Sequence, residues 1–226
     1  MKSIYEFLLK SKTSISAQDA EYVDLGLPSG LLWAKCNIGA YEPYEYGDYF
    51  MWGSTSADPD KKCGWTNCPF NKGSSVFCSG YFKSIQNDVC PNNILTSEYD
   101  AVTAILGDGW RLPTNDDFWE LINNTEHEWI KNYKGSKING MRFTPKNVKV
   151  AKANSDENYD ELFIPVSGYR YLSNFYYRGS YAYLWSSTLD AHVPDYASIL
   201  YFDDFHCYTS NCSRCYALCI RGVKNK

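Results

Sequence analysis

The sequence predicts an α+β chain with two helices, many short and mostly antiparallel strands, and long loops. Three observations lead there. Two stretches carry a helix start with apolar residues on one side, many short runs alternate apolar with polar residues, and Gly, Pro, Asn and Ser cluster between them.

Taken in order, residues 1–19 read as an N-terminal segment with a short helix presenting Ile4, Phe7 and Leu8, and residues 20–226 as one domain. Val23, Leu25 and Leu27 alternate with Asp24 and Gly26, which predicts a strand ended by Pro28 and Gly30. Leu31–Ala34 reads as a second strand, and Tyr46–Gly53 as an aromatic strand or turn. Residues 54–95 lack periodicity and hold Cys63, Cys68, Cys78 and Cys90; they read as a long Cys/Gly-rich surface insertion.

The first helix has Ser97 as its N-cap, Glu98 and Asp100 in the first turn and Gly107 as its stop, with Val102, Ile105 and Leu106 facing the core. The second has Thr114 as N-cap, Asp116 and Asp117 beside the positive end of the helix dipole, and Phe118, Leu121 and Ile122 on one side. "GMRFTP", "KVAKA", "ELFIPVSGYR", "YLWSS", "ASILYF" and "YALCIRGV" read as later strands.

Composition bounds the function. A chain of 226 residues buries a substantial core without disulfide staples, and a net charge of −4 offers no basic face for nucleic acid. No apolar run reaches the roughly 18 residues of a membrane span, and the first residues show no signal peptide. The nine cysteines are an odd number, so at least one is unpaired in a monomer. Aromatic residues make up 17%, with twenty Tyr; Tyr joins contact area to a hydrogen-bonding tip, the chemistry of binding surfaces as well as of β cores.

The run from Phe202 to Gly222 holds four cysteines, a histidine and two aspartates, which raises metal chemistry. Its C-x4-C-x2-C-x3-C spacing lacks the two separated tight pairs of structural zinc sites, and Cys215 and Cys219 fall on a predicted strand too far apart to chelate one ion. A calcium lectin would need clustered oxygen ligands, and here "EPY" at Glu42–Tyr44 is misplaced and "WSS" stands at Trp185–Ser187. His127, His192 and His206 lie beside no G-x-S-x-G nucleophile motif, and "GDGWR" lacks the ending of a phosphate loop. No cofactor is expected.

Four stretches, "YVDLGLPSGLLWAKCNIGA…YGDYFMWG", "GDGWRLPT…FWELI", "PVSGYRY" and "LWSS…R.YALCIRGV", together resemble the C-type lectin-fold domains related to formylglycine-generating enzyme. The resemblance spans roughly residues 21–223 and is nearest to the variable, target-recognition proteins of diversity-generating retroelements in gut bacteria or their phages. It implies a C-type lectin fold with the first and last strands, "YVDLGL" and "YALCIRGV", paired, two helices, and a face built from long C-terminal loops. Trp33, Trp110 and Trp185 suit core positions, and Arg111 suits a structural ion pair or backbone cap.

Adenine rewriting in such retroelements acts mostly on AAC or AAT codons, which cannot become Lys, Glu, Gln, Met or Trp. From Leu172 to Arg214 there is no Lys, Glu, Gln or Met, and Trp185 is the single Trp; at the density of the rest of the chain about seven of the first four would fall there. Exposed loops ordinarily favour Lys and Glu. A Tyr- and Ser-biased β region is the alternative account. Within the candidate diversified region, 172–214, Trp185, Ser186, Leu200, Phe202, Arg214 and, just beyond it, Ile220 read as scaffold. Asn174, Tyr176, Tyr181, Tyr183, Asp190, His192, Asp195, Tyr196, Ser198, Asp203, His206, Tyr208, Ser210, Asn211 and Ser213 read as exposed, changeable side chains sharing one surface.

The expected function is ligand binding or adhesion without catalysis. The partner is a cell-surface protein or glycan; neither nucleic acid nor membrane insertion is expected, and the carrier is a phage tail or a bacterial surface appendage, with a homo-oligomer or larger assembly compatible. The alternative is a copper-dependent thiol oxidase of the formylglycine-generating type, because Cys207 and Cys212 share that enzyme's C-x4-C spacing and two thiolates suit Cu(I).

Overall fold

The computed structural model describes residues 20–57, 62–70, 88–146 and 161–226. The helix expected within 1–19, the "KVAKA" strand and Cys78 lie outside the described residues.

In chain order the strands are β1 (Tyr22–Asp24), β2 (Leu32–Ala34), β3 (Phe50–Met51), β4 (Trp110–Arg111), β5 (Thr125–Ile130), β6 (Gly140–Pro145), β7 (Leu162–Pro165), β8 (Tyr169–Tyr171), β9 (Asn174–Tyr176), β10 (Ala182–Leu189), β11 (Tyr196–Phe202), β12 (Cys207–Ser213), β13 (Ala217–Leu218) and β14 (Val223–Lys224). The α-helices among the described residues are α1 (Ala101–Leu106) and α2 (Asn115–Asn124). The strands form four sheets, ordered β1-β2-β14-β4, β3-β13-β8-β9, β5-β6-β7 and β10-β11-β12, with antiparallel pairing throughout.

This overturns the expected class. The described chain is mostly β, in four small sheets with two short helices, and does not reproduce a helix-plus-strand C-type lectin layout. The expected pairing of the first and last strands is also corrected. β14 pairs with β2 and β4, and β1 reaches only β2, because Trp33 sits between Val23 and Val223. Trp33 is fully buried there, so the central place in the sheet falls to the strand that carries it.

Local chemistry explains both helices. Ser97–Tyr99 forms a separate 3-10 turn, so the cap of α1 is Asp100 and not Ser97. The buried Asp100 carboxylate accepts from the Val102, Thr103 and Leu112 N–H groups at 2.8, 3.2 and 2.7 Å; burial nevertheless holds its pKa above the usual aspartate value. Gly107 ends the helix as expected. Helix α2 starts at Thr114 with a capping box to Asp117, and the Asp117 carboxylate also takes Arg111 in an ion pair at 2.6 Å, so Arg111 is structural.

Arg221 is a buried clamp. Its guanidinium donates to Asn37 Oδ1 at 2.8 Å and to the carbonyls of Lys35 and Phe163 at 3.0 and 2.9 Å, tying the first sheet to β7; burial lowers its pKa to about 10. The insertion is not a detached surface loop where it is described. Cys63, Cys68 and Cys90 are buried, Cys63 and Leu172 exchange two backbone hydrogen bonds, and the Leu95 N–H donates to the Ser187 carbonyl.

Candidate recognition surface

The 172–214 window supplies β9 to β12 and the turns between them. β10 and β11 pair with Leu184 opposite Leu200 and Trp185 opposite Ile199; β11 and β12 pair from Tyr196–Ser213 to Phe202–Cys207. Side chains alternate across a strand, so these registers assign each residue to a face. Ala182, Leu184, Leu200, Phe202 and Cys207 share one face and pack with Phe118 and Leu121 of α2. Trp185, Ala197, Ile199 and Cys212 share the other and pack with Phe50, Trp52 and Leu218. The central sheet therefore divides two apolar cores, and each face runs out of cover at a different end.

On the Trp185 face the uncovered end holds tyrosines. Tyr183, Tyr201 and Tyr208 follow one register line, with ring centroids 5.3 and 5.0 Å apart. Tyr169 from β8 joins them at 5.4 Å from Tyr183 and stacks on Tyr176 and Tyr216 at 5.3 and 4.8 Å. Tyr171 touches Tyr216, while Tyr177 and Tyr181 close the circuit from Tyr169 to Tyr201. Nine tyrosines thus make one continuous patch, extended by His206 and by Phe205, which is 83% exposed. Tyr169, Tyr183, Tyr201 and Tyr216 are half-buried against the core, so the patch is the rim of a packed interior and not a loose fringe. Burial raises the phenol pKa of Tyr183 and Tyr201, and that of Tyr216 to about 12, so all three stay neutral at ordinary pH.

The approach of β9 to this patch depends on one glycine. Gly168 has φ +62, and a Cβ there would meet the Tyr176 carbonyl oxygen at 2.1 Å. Gly168 lets the Tyr176–Tyr177 turn close over the chain.

On the α2 face the uncovered end is polar. The Ser198 hydroxyl donates to Asn211 Oδ1 at 3.0 Å, Asn211 Nδ2 donates to Asp190 Oδ2 at 2.5 Å, and Asp190 Oδ1 accepts the His192 and Val193 N–H groups. Tyr196 and Ser213 pair on the same face.

The fifteen expected side chains therefore do not share one surface. Asn174, Tyr176, Tyr181, Tyr183, His206, Tyr208 and Ser210 belong to the tyrosine face; Asp190, Tyr196, Ser198, Asn211 and Ser213 belong to the other, with His192 and Asp195 in the loop beside them. Two are buried and are corrected to structural roles. Ser198 is 8% exposed and pinned between strands: its carbonyl accepts from the Ser186 hydroxyl. Asp203 is also 8% exposed and organises the β11–β12 turn. It accepts from the Phe205 and His206 N–H groups at 2.8 Å each, from the Tyr201 hydroxyl at 2.8 Å and from His206 Nδ1 at 3.0 Å. Burial alone would push its pKa up, and these donors outweigh burial and hold it below the usual value.

The scaffold residues Trp185, Ser186, Leu200, Phe202, Arg214 and Ile220 are all buried. Arg214 is the strongest of them: Nε donates to the Pro194 carbonyl at 2.6 Å, Nη1 to the Pro69 carbonyl at 3.2 Å, and the guanidinium lies over Trp52 and Trp65. Tyr169, Tyr171, Tyr177, Tyr201, Tyr216 and Phe205 were not among the expected surface residues. Tyr169 and Tyr171 flank buried Arg170 in a period of two, a signal the sequence carried outside the window.

Cys207 and Cys212 do not form a pair. Five residues apart on β12, they lie on opposite faces, about 16 Å apart along the strand. Burial raises both thiols to about 12, which keeps them protonated. Among the described residues no group of three His, Cys, Asp or Glu side chains is placed to hold a metal ion. A separate cleft of about 510 Å³ lies among Glu21, Lys35, Cys36, Asn37 and Asp48, and no residue of the 172–214 window lines it. Comparison with protein-family models, with curated proteins and with solved structures gave no match.

Proposed function

We propose that this chain is a recognition module that binds a protein or glycan on a cell surface through the tyrosine patch, with binding and not turnover as its work. The observation that carries the reading is the patch itself: nine tyrosines in ring contact on the rim of a core whose underlying scaffold is buried. Tyrosine brings large contact area at small conformational cost, and its hydroxyl adapts to polar partners. Tyr176, Tyr177 and Tyr208 are exposed and the remaining six rings half-buried, and a contiguous aromatic surface left partly open in this way suits an interaction site.

The coding signature of the window supports the further proposal that the part of the patch within residues 172–214 is varied by a retroelement, on a phage tail or a bacterial surface appendage. That proposal rests on residue usage between Leu172 and Arg214 and not on the fold. Two experiments test it. Binding of the purified chain to displayed surface proteins and to a glycan array, beside a variant with Tyr176, Tyr177, Tyr181 and Tyr208 replaced by Ser, is expected to show a target lost only by the variant. A target bound equally by both would remove the patch from the function. In the neighbouring DNA, a near-copy of the gene's last stretch differing at adenines is expected beside a reverse transcriptase.

A further inference from the structure

The central sheet has a second unusual feature, independent of what the tyrosines bind. β12 is its edge, seven residues long, and reads Cys-Tyr-Thr-Ser-Asn-Cys-Ser with neither charge nor proline. Edge strands present unpaired peptide groups and are ordinarily guarded by shortness, charge, proline or cover. The other edges here are guarded. Bridges to Gly168, Cys219 and Ile94 cover β10; β5 carries Glu126 and Glu128; β7 has four residues and ends in Pro165; β1, β3, β4 and β9 have two or three residues.

The hydrogen-bond phase of β12 is fixed at both ends. The Arg214 N–H donates to the Asp195 carbonyl, and the Asp203 N–H to the His206 carbonyl. Antiparallel pairs alternate between bonded and non-bonded, so Ala197–Cys212, Ile199–Ser210 and Tyr201–Tyr208 are the bonded pairs. The peptide groups of Thr209 and Asn211 therefore point away from β11, and among the described residues no strand meets them.

We propose that β12 is the interface of a two-fold homodimer, pairing antiparallel with β12 of a second copy so that the two central sheets become one. The edge is its own complement. With the axis at Ser210, Thr209 of one copy faces Asn211 of the other, their outward N–H and C=O groups exchange two hydrogen bonds, and no charges oppose each other. A second copy supplies this match without any foreign sequence. Helix α2, which packs on β12, adds a large exposed aromatic, Trp119 at 59%. Joined this way, both tyrosine patches lie on one face of a continuous sheet, with the two Tyr208 residues about 14 Å apart. A target would meet two adjacent patches, and bivalent attachment raises the strength of holding without new contacts.

Sedimentation velocity of the full chain with a thiol reductant, from low micromolar to near-millimolar concentration, tests this. The mass is expected to double as concentration rises. Thr209→Pro removes one outward N–H, a change that a free edge tolerates, and Thr209→Lys places a charge on the edge. Both variants are expected to stay monomeric with an unchanged melting temperature; should Thr209→Pro melt lower, Thr209→Lys decides. A chain that stays monomeric throughout, including one that captures a strand of another protein, overturns the proposal. A dimer that survives in both variants overturns it equally, since another surface then holds it.

Discussion

The two faces of the β10–β12 sheet carry the same alternating pattern and end differently. The face under α2 buries Leu184, Leu200 and Phe202 and finishes in a polar net of Ser198, Asn211 and Asp190 whose groups satisfy one another. The opposite face buries Trp185 and Ile199 and finishes in tyrosines whose rings touch one another and whose edges stay open. A self-satisfied net has little hydrogen-bonding capacity left for a partner, whereas a half-buried ring keeps area to offer. Two residues apart on one strand, side chains can belong to machinery of the same kind; one residue apart, they cannot.

The sharpest way to break this comparison is to remove what the tyrosine face rests on. Trp185→Ala deletes a buried indole whose Nε1 donates to the Phe50 carbonyl at 2.9 Å, and is expected to lower stability by about 3–5 kcal/mol in urea unfolding. Arg214→Ala strands the Pro194 and Pro69 carbonyls and unlayers Trp52 and Trp65, an expected loss of about 2–3 kcal/mol that Arg214→Lys does not restore, because the fork geometry is gone.

Asp203→Ala is expected to cost about 1–2 kcal/mol by releasing the β11–β12 turn. Its pH dependence follows from its lowered pKa: the stabilisation is present above the unfolded aspartate value of about 3.9 and is lost as pH falls through the lower folded value. Acid unfolding of the parent and of Asp203→Asn should therefore converge below that range. A variant whose acid limb matches the parent's throughout would take Asp203 out of the turn's stability. The smallest effect belongs to the open tyrosine face. Replacing Tyr176 and Tyr208 together is expected to move stability by no more than about 0.5 kcal/mol per site in the same unfolding assay, and a loss several times larger would make those rings structural.

Much of the local structure was legible in the chain. Thr114 with Asp117 announced α2, Gly107 announced the end of α1, and "YLWSS" and "ASILYF" announced strands carrying the buried scaffold residues Trp185 and Leu200. Asp203 and Ser198 were misread because a short polar residue in a loop or strand looks the same whether it meets solvent or is tied into the fold; the difference lies in a partner three residues on and in a neighbour thirteen residues away. Tyr169 and Tyr216 were missed because their rings meet between segments distant in sequence.

What the sequence determined by itself includes the Thr114 cap, the Gly107 stop, the period of two, the buried indoles and the bias of residue usage between Leu172 and Arg214. What only the tertiary structure decided is how the sheets assemble and which face each side chain joins. The family resemblance pointed to a helix-plus-strand layout, and the chain instead dispersed its strands into four small sheets. Cys207 and Cys212, close in the sequence, were set on opposite sides of one strand, while tyrosines from β8 and β12 were brought into one patch. The reason is geometric: strand pairing fixes faces by register, and register is settled by long-range contacts that no local pattern contains.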